Sequence, residues 1–279
     1  MSHGDFEHPR ADVLGVRVCA VNMQSATELA WRWIEAGKAG YICMTGVHGV
    51  MEAQSDPELQ AILNGALINA PDGMPMSWVG WLQGHRTMDR VFGPDFMEEM
   101  CALAAREGYR IFLYGGRPGV AQLLGEKLLQ KFPGLLVAGT LTPPFTELNR
   151  EQEEDLLQQV WIAKPHILWV GLSTPKQERF MARYVDRLQV PLLVGVGAAF
   201  DFHTGRISDS PNWMKRAGLQ WLHRLLQDPK RLGPRYLRHN PAFARLIALQ
   251  LMGFRSHLSK GASEARNTRN KSDAQRESA

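Results

Sequence analysis

Short apolar runs alternate with longer amphipathic stretches along the first two thirds of the chain. Glycine, proline or polar turn residues bound each short run, which is typical of buried strands, and the longer stretches repeat apolar positions at helical spacing. The predicted strands are Val13–Cys19, Tyr41–Thr45, Leu67–Ala70, Arg110–Tyr114, Leu135–Thr140, His166–Gly171 and Pro191–Val196. One predicted helix ends near Glu52. The other predicted helices are Ser25–Ala36, Asp56–Asn64, Val120–Phe132, Arg150–Ala163 and Lys176–Leu188.

The fold class that this order predicts is α/β: a Rossmann-like parallel sheet with helices on both faces, plus a helical C-terminal appendage. In that appendage, Trp213–Gln227 predicts an amphipathic helix. Pro241–Phe254 predicts an apolar helix that is shorter than the roughly 20 residues needed to span a bilayer. We expect a core over residues 1–205, a basic amphipathic appendage over 206–255 and a disordered polar tail over 256–279.

The composition, with 44% hydrophobic and 22% charged residues in 279, is that of a globular protein. Three scattered cysteines without a C-x-x-C pair argue against a disulfide framework or zinc ribbon and favour a reducing compartment. No apolar stretch is long enough for a transmembrane helix, and the N-terminus lacks the pattern of a secretory signal. We therefore expect a cytoplasmic protein.

Charge is distributed unevenly along the chain. Residues 206–279 carry a net charge of +10, whereas residues 1–205 carry −6. The basic residues are interleaved with tryptophan, leucine and phenylalanine, which favours an anionic partner such as phosphate, nucleic acid or acidic lipid. A solubilising tail is the alternative.

Candidate chemistry follows the strands, because ligands of parallel α/β sheets bind at the carboxyl ends of strands. Asp72 follows a predicted strand and could serve as a general base, or it could stabilise the turn. Gly115 and Gly116 could cradle a phosphate or form a tight connection, and they match neither a dinucleotide-binding nor a Walker sequence. His48 also follows a strand, and a lone histidine is more often structural.

Polar residues near helix starts and in the appendage add further candidates. Lys176, Gln177 and Glu178 open a predicted helix and could bind sugar or uracil groups, or be ordinary polar surface. Arginines could bind a pyrophosphate or form a solvated basic face, although Pro229 and Pro234 argue against one continuous helix there. These arginines are Arg224, Arg231, Arg235 and Arg238. A metal site has poor support, because neither H-x-x-x-H nor Asp-x-Asp occurs.

Several motifs occur in one order along the chain. They are Thr45, P-D-G at 71–73, R-V-F-G-P-D at 90–95, G-L-S-T-P-K-Q-E at 171–178, G-V-G-A-A-F-D-F-x-x-G at 195–205 and P-x-W-M-K-R-x-G-L-x-W-L-x-R-L at 211–225. With these motifs, roughly residues 13–238 resemble the WecG/TagA/CpsF glycosyltransferases, which are glycosyltransferase family 26. The last three motifs are specific.

The resemblance implies an inverting hexosyltransferase that moves a sugar from a UDP-sugar to a glycan on a polyprenyl diphosphate, in exopolysaccharide or cell-envelope synthesis. It implies no cofactor and no metal. The family's base falls on Asp72, and its active-site threonine and arginine fall on Thr45 and Arg90. The family's active-site glutamine falls on Gln177, and its C-terminal arginines match Arg224 and Arg231. We also expect substrate-binding roles for His48, Gly115, Gly116, Lys176, Glu178 and Asp201.

The resemblance also implies that the appendage closes the site and meets the anionic inner face of the plasma membrane, so the chain would associate peripherally with it. The residues expected at the membrane are Trp213, Met214, Trp221, Leu222, Leu225 and the helix Pro241–Phe254. A homo-oligomer is left as an open alternative.

The chain departs from the family pattern at three places. Val47, followed by His48, replaces the asparagine of a Thr-x-Asn motif. Asp209 and Gln220 replace the arginine of R-A-P and the glutamate of G-L-E-W. These changes leave the reaction class standing and the donor and acceptor sugars open.

Rival functions are weaker. An inactive scaffold of a polysaccharide-synthesis complex would not need Asp72, Arg90 and Gln177 together. A nucleic-acid binder lacks a recognisable module, and an oxidoreductase would show G-x-G-x-x-G after its first strand.

Overall fold

The computed structural model describes residues 8–253, apart from the side chain of Asn212. Its strands are β1 Arg10–Val13, β2 Val16–Cys19, β3 Gly40–Thr45, β4 Ile68–Pro71, β5 Arg110–Gly115, β6 Leu136–Leu141, β7 Ile167–Gly171 and β8 Leu192–Gly195. Its helices are α1 Met23–Glu35, α2 Val47–Ala53, α3 Pro57–Gly65, α4 Met74–Leu82, α5 Gly93–Glu107, α6 Val120–Lys131, α7 Arg150–Ala163, α8 Lys176–Leu188, α9 Ala199–His203, α10 Asn212–Arg216, α11 Gln220–Gln227 and α12 Pro229–Leu251.

Six of the strands form one parallel sheet in the order β4-β3-β8-β7-β5-β6. Helices pack on both faces, since successive strand residues contribute to different apolar clusters. Ile111 and Leu113 face the cluster that contains α1, α5 and α6, whereas Phe112 and Tyr114 face the one that contains α3, α7 and α8. The predicted fold class is confirmed.

The predicted first strand, Val13–Cys19, is wrong. The chain forms an antiparallel hairpin instead, because β1 and β2 are joined by a turn at Leu14 and Gly15, both with positive φ. The amide of Gly15 donates to Asp12 Oδ1 at 2.7 Å and closes this turn. Leu14 is fully buried, so the apolar pattern runs through the turn without a break.

Most predicted helices are confirmed, α7 and α8 to the residue. Asp56 caps α3 by accepting from the amide of Leu59, with Pro57 in the first turn. The prediction lacked α4 and α5, which occupy the long connection between β4 and β5. All three cysteines are free and buried.

The appendage differs from its prediction in two ways. Trp213–Gln227 is two helices, α10 and α11, because the chain turns at Gly218 with φ +69. A side chain at Gly218 would meet the Trp78 ring at 2.8 Å. Residues 229–251 form the single helix α12, in which Pro229 occupies the first turn and Pro234 lies near the start.

The described apolar residues of the predicted helix Pro241–Phe254 are divided between the core and the surface, where Leu251 and Met252 are exposed. Phe243 and Ile247 are buried in the cluster on the α8 face of the sheet. Gln250 holds the β1–β2 turn, since its Oε1 accepts from the Leu14 amide at 2.9 Å and its Nε2 donates to Asp12 O at 2.8 Å. This half of α12 therefore anchors the appendage, and its buried face is not free to meet a membrane.

Among residues 8–253, no helix is long and apolar enough to cross a membrane. The predicted tail over 256–279 lies outside the described residues, and the boundary predicted near residue 205 stays a prediction.

We predict that Gly115→Ala destabilises the fold much more than Gly119→Ala. Both glycines have positive φ, but a Cβ at Gly115 would lie 2.6 Å from the carbonyl oxygen of Gly171, whereas Gly119 faces open space. The left-handed backbone alone costs about 1–2 kcal/mol, and the clash in the sheet adds about 1–3 kcal/mol. Urea unfolding measures both, and equal losses would contradict the close approach of β5 and β7.

Candidate active site

The carboxyl ends of the central strands open into a cleft of about 990 Å³. Its other wall is the appendage, which reaches the cleft through α11 and α12. Of the predicted site residues, those that line the cleft are Thr45, His48, Asp72, Arg90, Gly116, Lys176, Gln177, Glu178, Asp201, Arg224 and Arg231. Gly115 does not line it, because its backbone packs against Gly171 of the neighbouring strand.

Asp72 and Thr45 are brought together by the pairing of β3 with β4. The register places Thr45 opposite Pro71, and the Asp72 amide donates to Thr45 O at 3.0 Å. A Cβ at Gly46 would lie 2.7 Å from Asp72 O, so this close approach requires glycine. The Thr45 hydroxyl is buried and has no partner among the described residues, which leaves it available to a ligand.

Asp72 lies just ahead of α4 in an environment with opposing electrostatic effects. Burial raises the pKa of its carboxyl, and the charges of Arg90 and Arg224 partly offset this. Asp95 acts with burial to raise it further. Asp72 is therefore a carboxylate with increased basicity and two nearby cations, which suits proton acceptance next to an anionic leaving group.

Arg90 is held from two sides. Its guanidinium lies 4.4 Å from the centre of the Phe92 ring and forms an ion pair with Asp95 at 3.7 Å. The Val91 amide donates to Pro71 O at 2.8 Å, which ties this loop to the end of β4. Asp95 is a residue that the sequence interpretation missed, although it closes the R-V-F-G-P-D motif.

Gln177 and Glu178 are buried at the start of α8. Glu178 Oε1 accepts from Thr174 Oγ1 at 2.9 Å and from Gln177 Nε2 at 3.1 Å. Burial raises the Glu178 pKa. Gln177 Oε1 has no partner among the described residues, so Glu178 orients the Gln177 amide and leaves its oxygen free to accept from a ligand.

The appendage places arginines at the cleft. The Arg224 guanidinium lies 5.7 Å from the centre of the Phe202 ring and acts on Asp72 from α11. Arg231 is more exposed and pairs with Asp228 at 2.5 Å. Arg235 also lines the cleft, and burial together with Arg231 and Arg224 lowers its pKa. Arg238 is exposed and is not among the lining residues.

The remaining predicted residues lie at the rim. Lys176 Nζ donates to Phe145 O at 3.2 Å, in a loop that also lines the cleft. Asp201 pairs with Arg206 at 3.4 Å. His48 contacts His239 of α12, with 3.2 Å between the two Nδ1 atoms. Sequence reasoning missed this contact, because nothing in the pattern connects residues so far apart.

Aromatic side chains complete the appendage side of the cleft. Trp78 of α4 and Trp221 of α11 line it, and Trp221 packs edge-on against Tyr236 at 5.7 Å between ring centres. These residues had been missed as lining residues, although the W-M-K-R-x-G-L-x-W motif includes Trp221. The cleft thus combines a basic patch, the buried carboxyls of Asp72 and Glu178 with raised pKa values, and an apolar wall.

Comparison of the sequence with known proteins places this chain in a family. Residues 11–257 match a sequence model described as the Glycosyl transferase WecG/TagA/CpsF family. Two similar proteins are both named N-acetylglucosaminyldiphosphoundecaprenol N-acetyl-beta-D-mannosaminyltransferase. The one from Bacillus spizizenii is 26% identical over 74% of this chain and 78% of its own length. The one from Bacillus subtilis is 27% identical over 64% and 68%. The chain belongs to the WecG/TagA/CpsF family and is a glycosyltransferase, as the motifs around Asp72 and Gln177 predicted.

Proposed function

We propose that the chain transfers a sugar from a UDP-sugar to a glycan carried on a polyprenyl diphosphate, with inversion at the anomeric carbon. The observation that carries the proposal is that Asp72 shares one cleft with Arg90, Gln177 and Arg224, the last from the far end of the chain. The names of the relatives make a polyprenyl-linked N-acetylglucosamine the first acceptor to test and N-acetylmannosamine the first sugar.

In the proposed reaction, the acceptor hydroxyl attacks the anomeric carbon from the face opposite the nucleotide. The new bond forms between the acceptor oxygen and that carbon, while the bond to the phosphate oxygen breaks and its electron pair leaves with UDP. Asp72 accepts the hydroxyl proton. Arg90 and Arg224 stabilise the negative charge that develops on the diphosphate, which is the work a divalent ion performs in other enzymes.

Three further arginines support the placement of the diphosphate on the appendage side. They are Arg117, Arg231 and Arg235. Arg117, Arg224 and Arg231 also line a smaller cavity of about 550 Å³. Arginine binds phosphate oxygens in a bidentate manner, so this basic side suits a pyrophosphate. Transfer in this scheme requires neither a cofactor nor a metal on the donor.

Membrane association is the second part of the proposal, and it uses the exposed face of the appendage. Leu226 and Leu237 are 73% and 78% exposed, and Lys230, Arg238 and Arg245 are exposed on the same helices. Exposed apolar and basic side chains on the same two helices suit an interfacial contact with anionic lipid. This contact would place the cleft near its lipid-linked acceptor.

Replacing Asp72 by asparagine is expected to lower kcat about 10²–10⁴-fold, because the amide cannot accept the proton. Release of UDP in the presence of a polyprenyl-linked acceptor measures turnover. Asp186→Asn, at an exposed position of α8, is the matched control and retains activity. Wild-type turnover in Asp72→Asn would remove Asp72 as the base.

The pH dependence of the wild type gives a second readout of Asp72. The carboxylate accepts a proton only above its pKa, so kcat/KM is lost as the pH falls through that value. Because burial raises the Asp72 pKa, this acid limb lies at a higher pH than for an ordinary aspartate. The limb disappears from the residual activity of Asp72→Asn.

Glu178→Ala is expected to raise KM for the donor about tenfold, since about 1.4 kcal/mol of orienting interaction corresponds to that factor. Glu178→Gln restores KM, because its amide oxygen can accept from Thr174 and Gln177 as Glu178 Oε1 does. Initial-rate kinetics with varied donor separate KM from kcat. Equal KM values for alanine and glutamine would show that Glu178 does not position Gln177.

The double variant Leu226→Asp/Leu237→Asp is expected to reduce binding to anionic vesicles at least tenfold, since burying each leucine contributes about 1.5–3 kcal/mol. Co-sedimentation with phosphatidylglycerol vesicles measures the effect. Leu129→Asp, at a 46% exposed position of α6, is the control for added charge. An equal loss in both proteins would exclude the appendage face as the contact surface.

A further inference from the structure

Three potential metal ligands meet where α2 contacts α12. His48 and Glu52 lie four residues apart on α2, so they share one face of that helix. His239 belongs to the buried stripe of α12 and points to the same place. Among the described residues this is the one group of three such side chains whose ligand atoms all lie within 4.8 Å of one another.

The distances from His48 Nδ1 to the other two side chains fit a tetrahedral ion. Zinc bonds of about 2.0–2.1 Å place two ligand atoms of a tetrahedron about 3.3 Å apart. The Nδ1 atoms of His48 and His239 are 3.2 Å apart, and His48 Nδ1 lies 3.6 Å from Glu52 Oε1. Two imidazole nitrogens and a carboxylate oxygen are a donor set that zinc accepts.

Hydrogen bonding alone explains only part of the cluster. A neutral His48–His239 pair can share one proton between the Nδ1 atoms, which accounts for the 3.2 Å contact. Glu52 Oε1 then stays 3.6 Å from His48 Nδ1 and 3.7 Å from His239 Nε2, and both distances are too long for a hydrogen bond. A bound cation would account for the carboxylate as well.

Charged side chains of both signs lie around the cluster. Arg235 and Arg238 oppose a cation here, and the Glu52 carboxylate compensates one of these charges.

We propose that His48, Glu52 and His239 bind one Zn²⁺ ion that ties the appendage to the core. The ion would hold α12 against α2, and α12 carries Arg231 and Arg235 to the cleft. Three protein ligands leave a fourth position for water. The site would act on the arrangement of the appendage, and the sugar transfer proposed above does not pass through it.

Zinc binding to the full-length chain tests the proposal directly. After removal of metals with EDTA, calorimetric titration with ZnCl₂ should show one site, and 100 times its Kd of free Zn²⁺ should raise the folding equilibrium about 100-fold in thermal unfolding. Co²⁺ at the same site should give the strong visible absorption of a four-coordinate ion, whereas Mg²⁺ should give no stabilisation.

Variants then assign the ligands. Glu52→Gln and His239→Gln are expected to weaken Zn²⁺ binding at least tenfold, and His223→Gln in α11 is the matched control that retains the wild-type Kd. Melting in EDTA checks that each variant folds, and Glu52, which is 37% exposed, is the substitution least able to disturb the core. Unchanged Kd in Glu52→Gln and His239→Gln, or stabilisation by Mg²⁺ equal to that by Zn²⁺, would overturn the site.

Discussion

The candidate site depends on one interaction, which is the packing of the C-terminal helices against the core beside the carboxyl ends of the central strands. Phe243 and Ile247 bury one stripe of α12 in the core, and Gln250 ties its end to the β1–β2 turn. This anchoring brings the N-terminal half of α12 over the cleft. Without this anchoring, the carboxyl ends of the strands would retain Asp72 and Gln177. The cleft would lose the cations that the appendage supplies.

The same packing contributes to the electrostatic state of Asp72. Burial raises the pKa of this carboxyl, Arg90 of the core lowers it, and the appendage brings Arg224 close enough to limit the rise further. A carboxylate that is desolvated without cations would stay protonated, and one with cations in open water would be a weak base. The second cation comes from the appendage, so charge neutralisation at Asp72 is complete only when the appendage is in place.

The sequence predicted the sheet well because its strands carry local signals. Apolar runs mark β5, β7 and β8, and the Pro-Asp-Gly turn places Asp72 where a parallel sheet opens. The break at Gly218 was missed because amphipathic periodicity continues through α10 and α11, and the sequence does not show that a side chain at this position would meet the Trp78 ring. Pro234 suggested an interruption, but α12 continues through both Pro234 and Pro241, although each proline costs the helix one main-chain hydrogen bond. The contact between His48 and His239 joins positions 191 residues apart and has no local signal.

The three departures from the family pattern acquire a common meaning in three dimensions. Gln220 Nε2 donates to Asp209 Oδ1 at 3.3 Å, so two of the changed positions contact each other, and Asp209 also pairs with Lys215. The third departure precedes His48, whose partner is on α12. All three therefore lie where the appendage folds and meets the core, and Val47, His48 and Gln220 also line the cleft that holds Asp72. The changed positions thus belong to the walls of the cleft and to the fold of the appendage, which are the parts of the structure that would surround the donor and acceptor sugars in the proposed reaction.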